Sequence, residues 1–236
     1  MQKPLHRFWI GYGLTTLCFL IFPINNFPTR LAAILLSLGA YVGIVYFLRR
    51  WKPTFIGAIL IPISLGIFLI APDKEFETQN LRTAYLASLK TYTGSRYIWG
   101  GENKLGIDCS GLVRAGFVKA NVEQGLLNLN PKPVRFGLSL WWHDCSAKAL
   151  GEEYRGFTRR ITSSSSINAL DDSRILPGDI AITANGVHVL AFLGNNEWIE
   201  ADPDLKKVVI VRTPSKDNPW FDEPVQIMRW TALESN

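Results

Sequence analysis

Cysteine and histidine are scarce in this 236-residue chain, with three of each: Cys18, Cys109 and Cys145, and His6, His143 and His188. So few thiols cannot build a disulfide scaffold, and the short supply of soft ligands excludes a structural zinc site. Acid is missing too, but only locally. Residues 1–72 contain no Asp or Glu, against six basic residues: Lys3, Arg7, Arg30, Arg49, Arg50 and Lys52. Taking those six from the total of 25 Lys and Arg leaves 19, against 20 acids in residues 73–236, so the formal charge of +5 belongs to the first third. A basic balance can signal nucleic acid. Here the cations flank apolar runs, so the expected partner is a lipid bilayer and not nucleic acid.

Those runs are Phe8–Ile24, Leu31–Leu48 and Thr54–Ala71. Each is about 17–18 residues, the lower limit for a helix crossing a hydrocarbon core of roughly 30 Å. Pro62 falls inside the third and predicts a kink. The first run is preceded by Lys3, His6 and Arg7, as a secretory leader would be. Pro23-Ile24-Asn25-Asn26-Phe27 has no small-residue cleavage site, so the run reads as an uncleaved span. Three spans place Lys3 and Arg7, and the Arg49-Arg50/Lys52 cluster, on the cytoplasmic side. The chain then divides into a membrane domain, 1–75, and a soluble domain, 76–236, on the periplasmic or extracellular side. Gly39 and Gly43 form a G-x-x-x-G spacing that suggests helix-mediated self-association.

In the soluble part, Leu81, Tyr85, Leu86 and Leu89 recur at helical spacing within 76–93, and Gly94 ends the helix. A second helix begins near Cys109 and runs toward Gln124. From Ile180 onward the runs 180–184, 187–193, 198–201, 208–211 and 225–228 are short and rich in β-branched or aromatic residues. Asn185-Gly186 and Gly194-Asn195-Asn196 supply tight turns between them. The fold class is α+β, with helices first and an antiparallel sheet after. Residues 125–175 read as an irregular insertion with one helix around Cys145–Gly151.

Cys109, in Gly106-Ile107-Asp108-Cys109-Ser110-Gly111-Leu112-Val113, is placed at a helix's first turn. Unpaired N–H groups and the helix dipole there favour negative charge, and thiolate is the nucleophilic form of cysteine. A thiolate needs a proton-shuttling partner, normally histidine. His188, on the strand Val187–Leu193, is held rigidly enough for that role. Its ring then needs an orienting group. Glu200, after the Asn195-Asn196 turn, shares its strand parity; Asp202 does too and is the second candidate. His143 beside Trp141-Trp142 reads as a surface residue of the insertion, and Asp179 as a structural turn residue. Cys109 could instead be an inert buried thiol, or bridge to Cys145.

Tyr97-Ile98-Trp99-Gly100-Gly101, then Asp108-Cys109-Ser110-Gly111-Leu112-Val113, Leu176-Pro177-Gly178-Asp179 and a His strand ending in Gly194 together resemble NlpC-type cell-wall peptidases, which are papain-like cysteine hydrolases. The resemblance spans roughly 84–211. It implies Cys109 as nucleophile, His188 as base, and an orienting residue twelve positions after the histidine, which is Glu200 where family members commonly carry His. It further implies that Asp108 and Ser110, with Tyr97 nearby, grip the substrate's peptide amine. The expected activity is hydrolysis of a peptide or amide bond in peptidoglycan stem peptides, with no metal or cofactor. Amide transfer, lipid deacylation and non-catalytic binding of wall peptides are the alternatives.

Overall fold

The computed structural model describes residues 3–234; the side chains of residues 3–6, Lys3 and His6 among them, and of residue 172 lie outside that description. Three helices open the chain: α1 (Lys3–Ile21), α2 (Phe27–Leu48) and α3 (Lys52–Ile70). Asn26 caps α2 through a capping box with Thr29, and Pro28 stands in its first turn, where its missing N–H costs nothing. α3 continues as one helix through Pro62. Their apolar side chains face outward, as Ile61 at 71% and Ile70 at 82% exposure show.

Two helices, α2 and α3, are long and apolar enough to cross a membrane by length and composition. Of the three spans expected, these two are found among the described residues. The remaining run stands in α1, whose described apolar part, Arg7–Ile21, is about 22 Å of helix and ends where the chain leaves the helix at Phe22-Pro23. The G-x-x-x-G face is also used differently from the self-association expected. A Cβ on Gly39 would strike the Tyr12 ring, and one on Gly43 the Trp9 ring, so both glycines accommodate α1 within the same chain. A surface already covered by α1 is not free for a second copy.

The soluble domain follows with α4 (Thr78–Lys90), the short strands β1 (Glu102–Asn103) and β2 (Gly106–Ile107), α5 (Cys109–Leu127), α6 (Pro131–Trp142) and α7 (Ala147–Gly151). Six further strands form one antiparallel sheet: β3 (Thr158–Ser164), β4 (Ile180–Thr183), β5 (Val189–Gly194), β6 (Glu197–Asp202), β7 (Lys207–Arg212) and β8 (Val225–Trp230). Their order is β3-β8-β4-β5-β6-β7. Period-two alternation divides the sheet into two buried faces. Ile180, Ile182, Val189, Ala191 and Ile199 pack with Leu81, Tyr85, Leu112 and Phe117 of α4 and α5. Ala181, Leu190, Phe192 and Trp198 face the other way, against Ile167, Ile175 and Phe221. The α+β expectation therefore holds.

Residues 125–175 are more regular than expected. Pro131 and Pro133 look like helix breakers, yet both lie in the first turn of α6, where proline is tolerated, behind an Asn130 cap. β3 is polar because it is an edge strand with one solvated side, and its pairing with β8 is what keeps it in the sheet.

The insertion also joins the domain to the apolar helices. Arg135 of α6 donates to the carbonyls of Leu69 (2.6 Å) and Ala71 (3.0 Å) and pairs with Asp73, closing the C-terminal end of α3. At the other junction the α1–α2 turn lies along residues 100–103. Asn25 N–H donates to Gly100 O at 2.9 Å, and Glu102 N–H to Pro23 O at 3.0 Å. Asn103 Nδ2 donates to the carbonyls of Ile21 and Phe22, each at 3.1 Å. Arg30, wholly buried, pairs with Glu102 (3.0 Å) and Asp144 (3.2 Å). Arg114 pairs with the same two acids. Two cations thus meet two carboxylates, with the side chains of Arg30, Arg114 and Glu102 buried and Asp144 at the solvent edge. Burial pulls the Arg114 guanidinium below its ordinary value while Asp144 opposes that fall.

Candidate active site

Asp108 is the N-cap of α5, and Cys109 is that helix's first residue. One carboxylate oxygen of Asp108 accepts from Gly111 N–H (2.6 Å) and Ser110 Oγ (3.0 Å), the other from Gly100 N–H (2.7 Å). The same side chain therefore begins the helix and fixes the Gly100-Gly101 loop against it. Gly111 must lack a side chain, since a Cβ there would meet the Gly101 carbonyl. Burial raises the Asp108 carboxyl above its usual range, and these three hydrogen bonds oppose the rise. Cys109 is 6% exposed, and its thiol lies 3.9 Å from the Val187 carbonyl. All three cysteines are free, so no bridge joins Cys109 to Cys145.

His188 does not lie within a strand, as its sequence context suggests, but immediately before β5. The Asn185-Gly186 turn holds it there. Asn185 Oδ1 accepts from Val187 N–H (3.0 Å) and from Thr183 Oγ1 (2.7 Å), and Thr183 Oγ1 accepts from His188 N–H (3.0 Å). Gly186 has φ of 71°, the left-handed conformation that glycine takes without strain. The imidazole Nε2 is 2.6 Å from Glu200 Oε2, with both side chains buried. Cys109 stands close enough to the same ring to raise its basicity, and Nδ1 is the nitrogen that Glu200 leaves open. Burial by itself lowers the basicity of His188. The hydrogen bonds and negative charges of Cys109 and Glu200 outweigh it, and the imidazole is pushed up to about 9.

Asp202, the second candidate for orienting the ring, is engaged elsewhere: its Oδ1 accepts from the N–H groups of Asp204 (2.7 Å) and Leu205 (2.9 Å) and shapes the β6–β7 turn. Tyr97 pairs with Ile107 beside the cysteine. Burial, then the charges of Cys109 and Asp108, push its phenol above the ordinary value. Ser110 is half-buried. The structure thus gathers Tyr97, Asp108, Cys109, Ser110, His188 and Glu200 at one place. His143 lies apart, its Nδ1 2.7 Å from Ser139 O at the end of α6. Asp179 is a buried structural anion held by Arg229 at 2.7 and 2.6 Å. Among the described residues no group of three or more His, Cys, Asp or Glu side chains is placed to hold a metal ion.

The profile of the NlpC/P60 family matches residues 94–229, more than half of the chain. The chain belongs to the NlpC/P60 family. The match takes in both junctions of the site, the Asp108-Cys109 helix start and the His188–Glu200 hairpin. NlpC/P60 proteins are typically cysteine peptidases or hydrolases of the cell wall. No curated protein sequence matches the chain. Among solved structures, NlpC1 from Trichomonas vaginalis is 20% identical with a TM-score of 0.43, over 68% of this chain and 48% of that one. NlpC2 from the same organism is 19% identical with a TM-score of 0.42, over 66% and 49%. The chain thus spans about half the length of these two. The Mycobacterium tuberculosis protein described as the peptidoglycan hydrolase RipB is 20% identical with a TM-score of 0.40, over 83% and 88%.

Two residues of this NlpC/P60 site escape a reading of the sequence. Asn218 is buried and donates from Nδ2 to Glu200 Oε1, so the carboxylate is held from both sides. Its own Oδ1 accepts from Trp220 N–H at 3.0 Å. That turn sets the Trp220 indole flat against the imidazole, with centroids 4.2 Å apart and planes 20° from parallel. An indole face stabilises a cationic ring stacked on it. The one local signal was Asn218-Pro219, a cap followed by a proline at the first helical position.

Proposed function

We propose that the chain is a membrane-anchored cysteine peptidase or amidase that hydrolyses a peptide or amide bond in peptidoglycan stem peptides. The observation that carries this is the buried imidazole bonded to Glu200 and set beside a cysteine at a helix N-terminus, which raises its basicity. A histidine raised to about 9 holds its proton at neutral pH, which is the state that pairs with a thiolate. The Cys109 sulfur attacks the carbonyl carbon, and the Cys109 backbone N–H donates to the oxyanion that forms. His188 passes its proton to the leaving amine, and the C–N bond breaks to leave a thioester. His188 then takes a proton from water, which attacks the thioester and frees the acid. Glu200 holds the ring throughout and offsets its positive charge. An ionised carboxylate accepts about four hydrogen bonds. Three at Asp108 are internal, so one remains for a substrate amine beside Ser110 and Tyr97.

The anchor in this reading is the α2–α3 hairpin, with α1 packed along α2. Arg49, Arg50 and Lys52 cluster at the turn between the two long helices, and cationic turns favour the cytoplasm. That orientation puts both ends facing the soluble domain outside, where wall peptides are. The test is digestion of purified stem-peptide fragments by the full-length protein. Wild type is expected to release cleaved peptide, and Cys109→Ala to release none; equal release by the two would end the proposal.

A further inference from the structure

The two junctions between the soluble domain and the apolar helices bear on which peptides the site can reach. Gly100 is tied to the cysteine's helix through its N–H on Asp108, and to the α1–α2 turn through its carbonyl on Asn25. Ile24 pairs with Gly101 on the same stretch. Asn25 is two residues ahead of Phe27, where α2 begins, at most about 7 Å of chain. The loop that holds the start of the cysteine's helix is therefore bonded to the last residues before a membrane-length helix.

Charge enforces the same closeness. Arg30 lies one turn into α2, and an unpaired guanidinium at that depth is costly. Its counter-charges, Glu102 and Asp144, come from the soluble domain. They neutralise Arg30 only while that domain sits down on the helix end. Large apolar side chains are left exposed around the junction: Phe22, Phe27, Trp99 and Leu105, with Trp142 edge-on to Phe27 at 5.5 Å. Aromatic rings in such a girdle suit the headgroup layer. Arg135, capping α3, gives the domain a second fixed point, so it cannot swing outward on a single tether.

Resting on the hydrolase reading above, we infer that the substrate is a stem peptide carried on a membrane-embedded lipid, cut at the bilayer surface, rather than a peptide of the distant polymerised wall. The test uses full-length protein reconstituted in phosphatidylethanolamine–phosphatidylglycerol vesicles and three forms of one stem peptide. One is coupled directly to a phospholipid headgroup, one through a long polyethylene glycol spacer, and one is free. The directly coupled form is expected to be cleaved at least tenfold faster than the free peptide at equal bulk concentration, and the advantage to shrink as the spacer lengthens. A rate that rises with spacer length, or equal cleavage of the free peptide, overturns the inference. Glu102→Gln, which weakens the hold on Arg30, is expected to reduce the ratio of directly coupled to free cleavage. A ratio unchanged in that variant also counts against the inference. The spacer series on wild type stands alone should the variant not fold. Cys109→Ala in the same vesicles separates the two claims: continued cleavage by it removes the hydrolase reading, whereas a wild-type preference for free peptide removes only this one.

Discussion

Replacing Glu200 by Gln keeps the volume of a fully buried side chain and removes its charge. Its two carboxylate oxygens accept from His188 Nε2 and Asn218 Nδ2. A glutamine has one acceptor oxygen, so one of those two donors is left facing an NH2 group. An unmet buried donor costs about 1–3 kcal/mol. The larger effect falls on the ring. A rise from the ordinary 6.5 to about 9 corresponds to roughly 3 kcal/mol favouring protonated His188. Burial opposes that rise, and Cys109 and Glu200 sustain it. Without the carboxylate the imidazole loses its proton at lower pH and its ring is less firmly held. Glu200→Gln should therefore lower kcat/KM roughly 10²–10³-fold, the scale of a misplaced general acid–base. The sign with pH follows directly. Activity that needs protonated His188 persists below about 9 and is lost above it in wild type, and in the variant this basic limb should move to lower pH. Stability obeys the same linkage. The raised histidine contributes fully below pH 6.5, and its contribution disappears as pH rises through about 9. Wild-type Tm should fall across that window, with a shallower slope in Glu200→Gln. The assay is kcat/KM against pH on a stem-peptide substrate, alongside thermal unfolding over the same range. A kcat/KM within about threefold of wild type and an unmoved basic limb would refute the reasoning.

Trp220→Ala removes the indole stacked on the imidazole. Such a ring pair contributes about 0.5–1.5 kcal/mol, so kcat/KM is expected to fall roughly tenfold, with the basic limb shifted to lower pH; a change in Tm alone would leave the indole a purely structural part. Asp202→Ala should lower Tm slightly through loss of its turn hydrogen bonds and leave kcat/KM within about threefold. A loss as large as that from Glu200→Gln would transfer the orienting role to Asp202.

The placement of the candidate residues was legible in the sequence because local rules bear on each. Asp108 precedes a helical pattern and so caps it, Cys109 follows the cap, and the Asn-Gly and Asn-Asn turns set the hairpins that bring Glu200 back toward His188. The acid-free first third separated the apolar helices from the domain for the same reason: composition is a local property. Tertiary structure decided the rest. Glu200 and Asp202 have equal claims by parity, and only the hydrogen bonds each makes distinguish them. Asn218 reaches Glu200 from 18 positions further along, and Trp220 reaches His188 from about thirty, through a turn whose position depends on the second face of the sheet. α6 and β3 looked irregular because prolines and polar residues suit a first helical turn and an edge strand only once their surroundings exist. Nothing near Arg30 in the sequence supplies its counter-charge; Glu102, 72 positions away, does. Spacing along the chain encodes caps, turns and alternation; which distant groups share one buried, charge-balanced volume is settled only when the chain closes on itself.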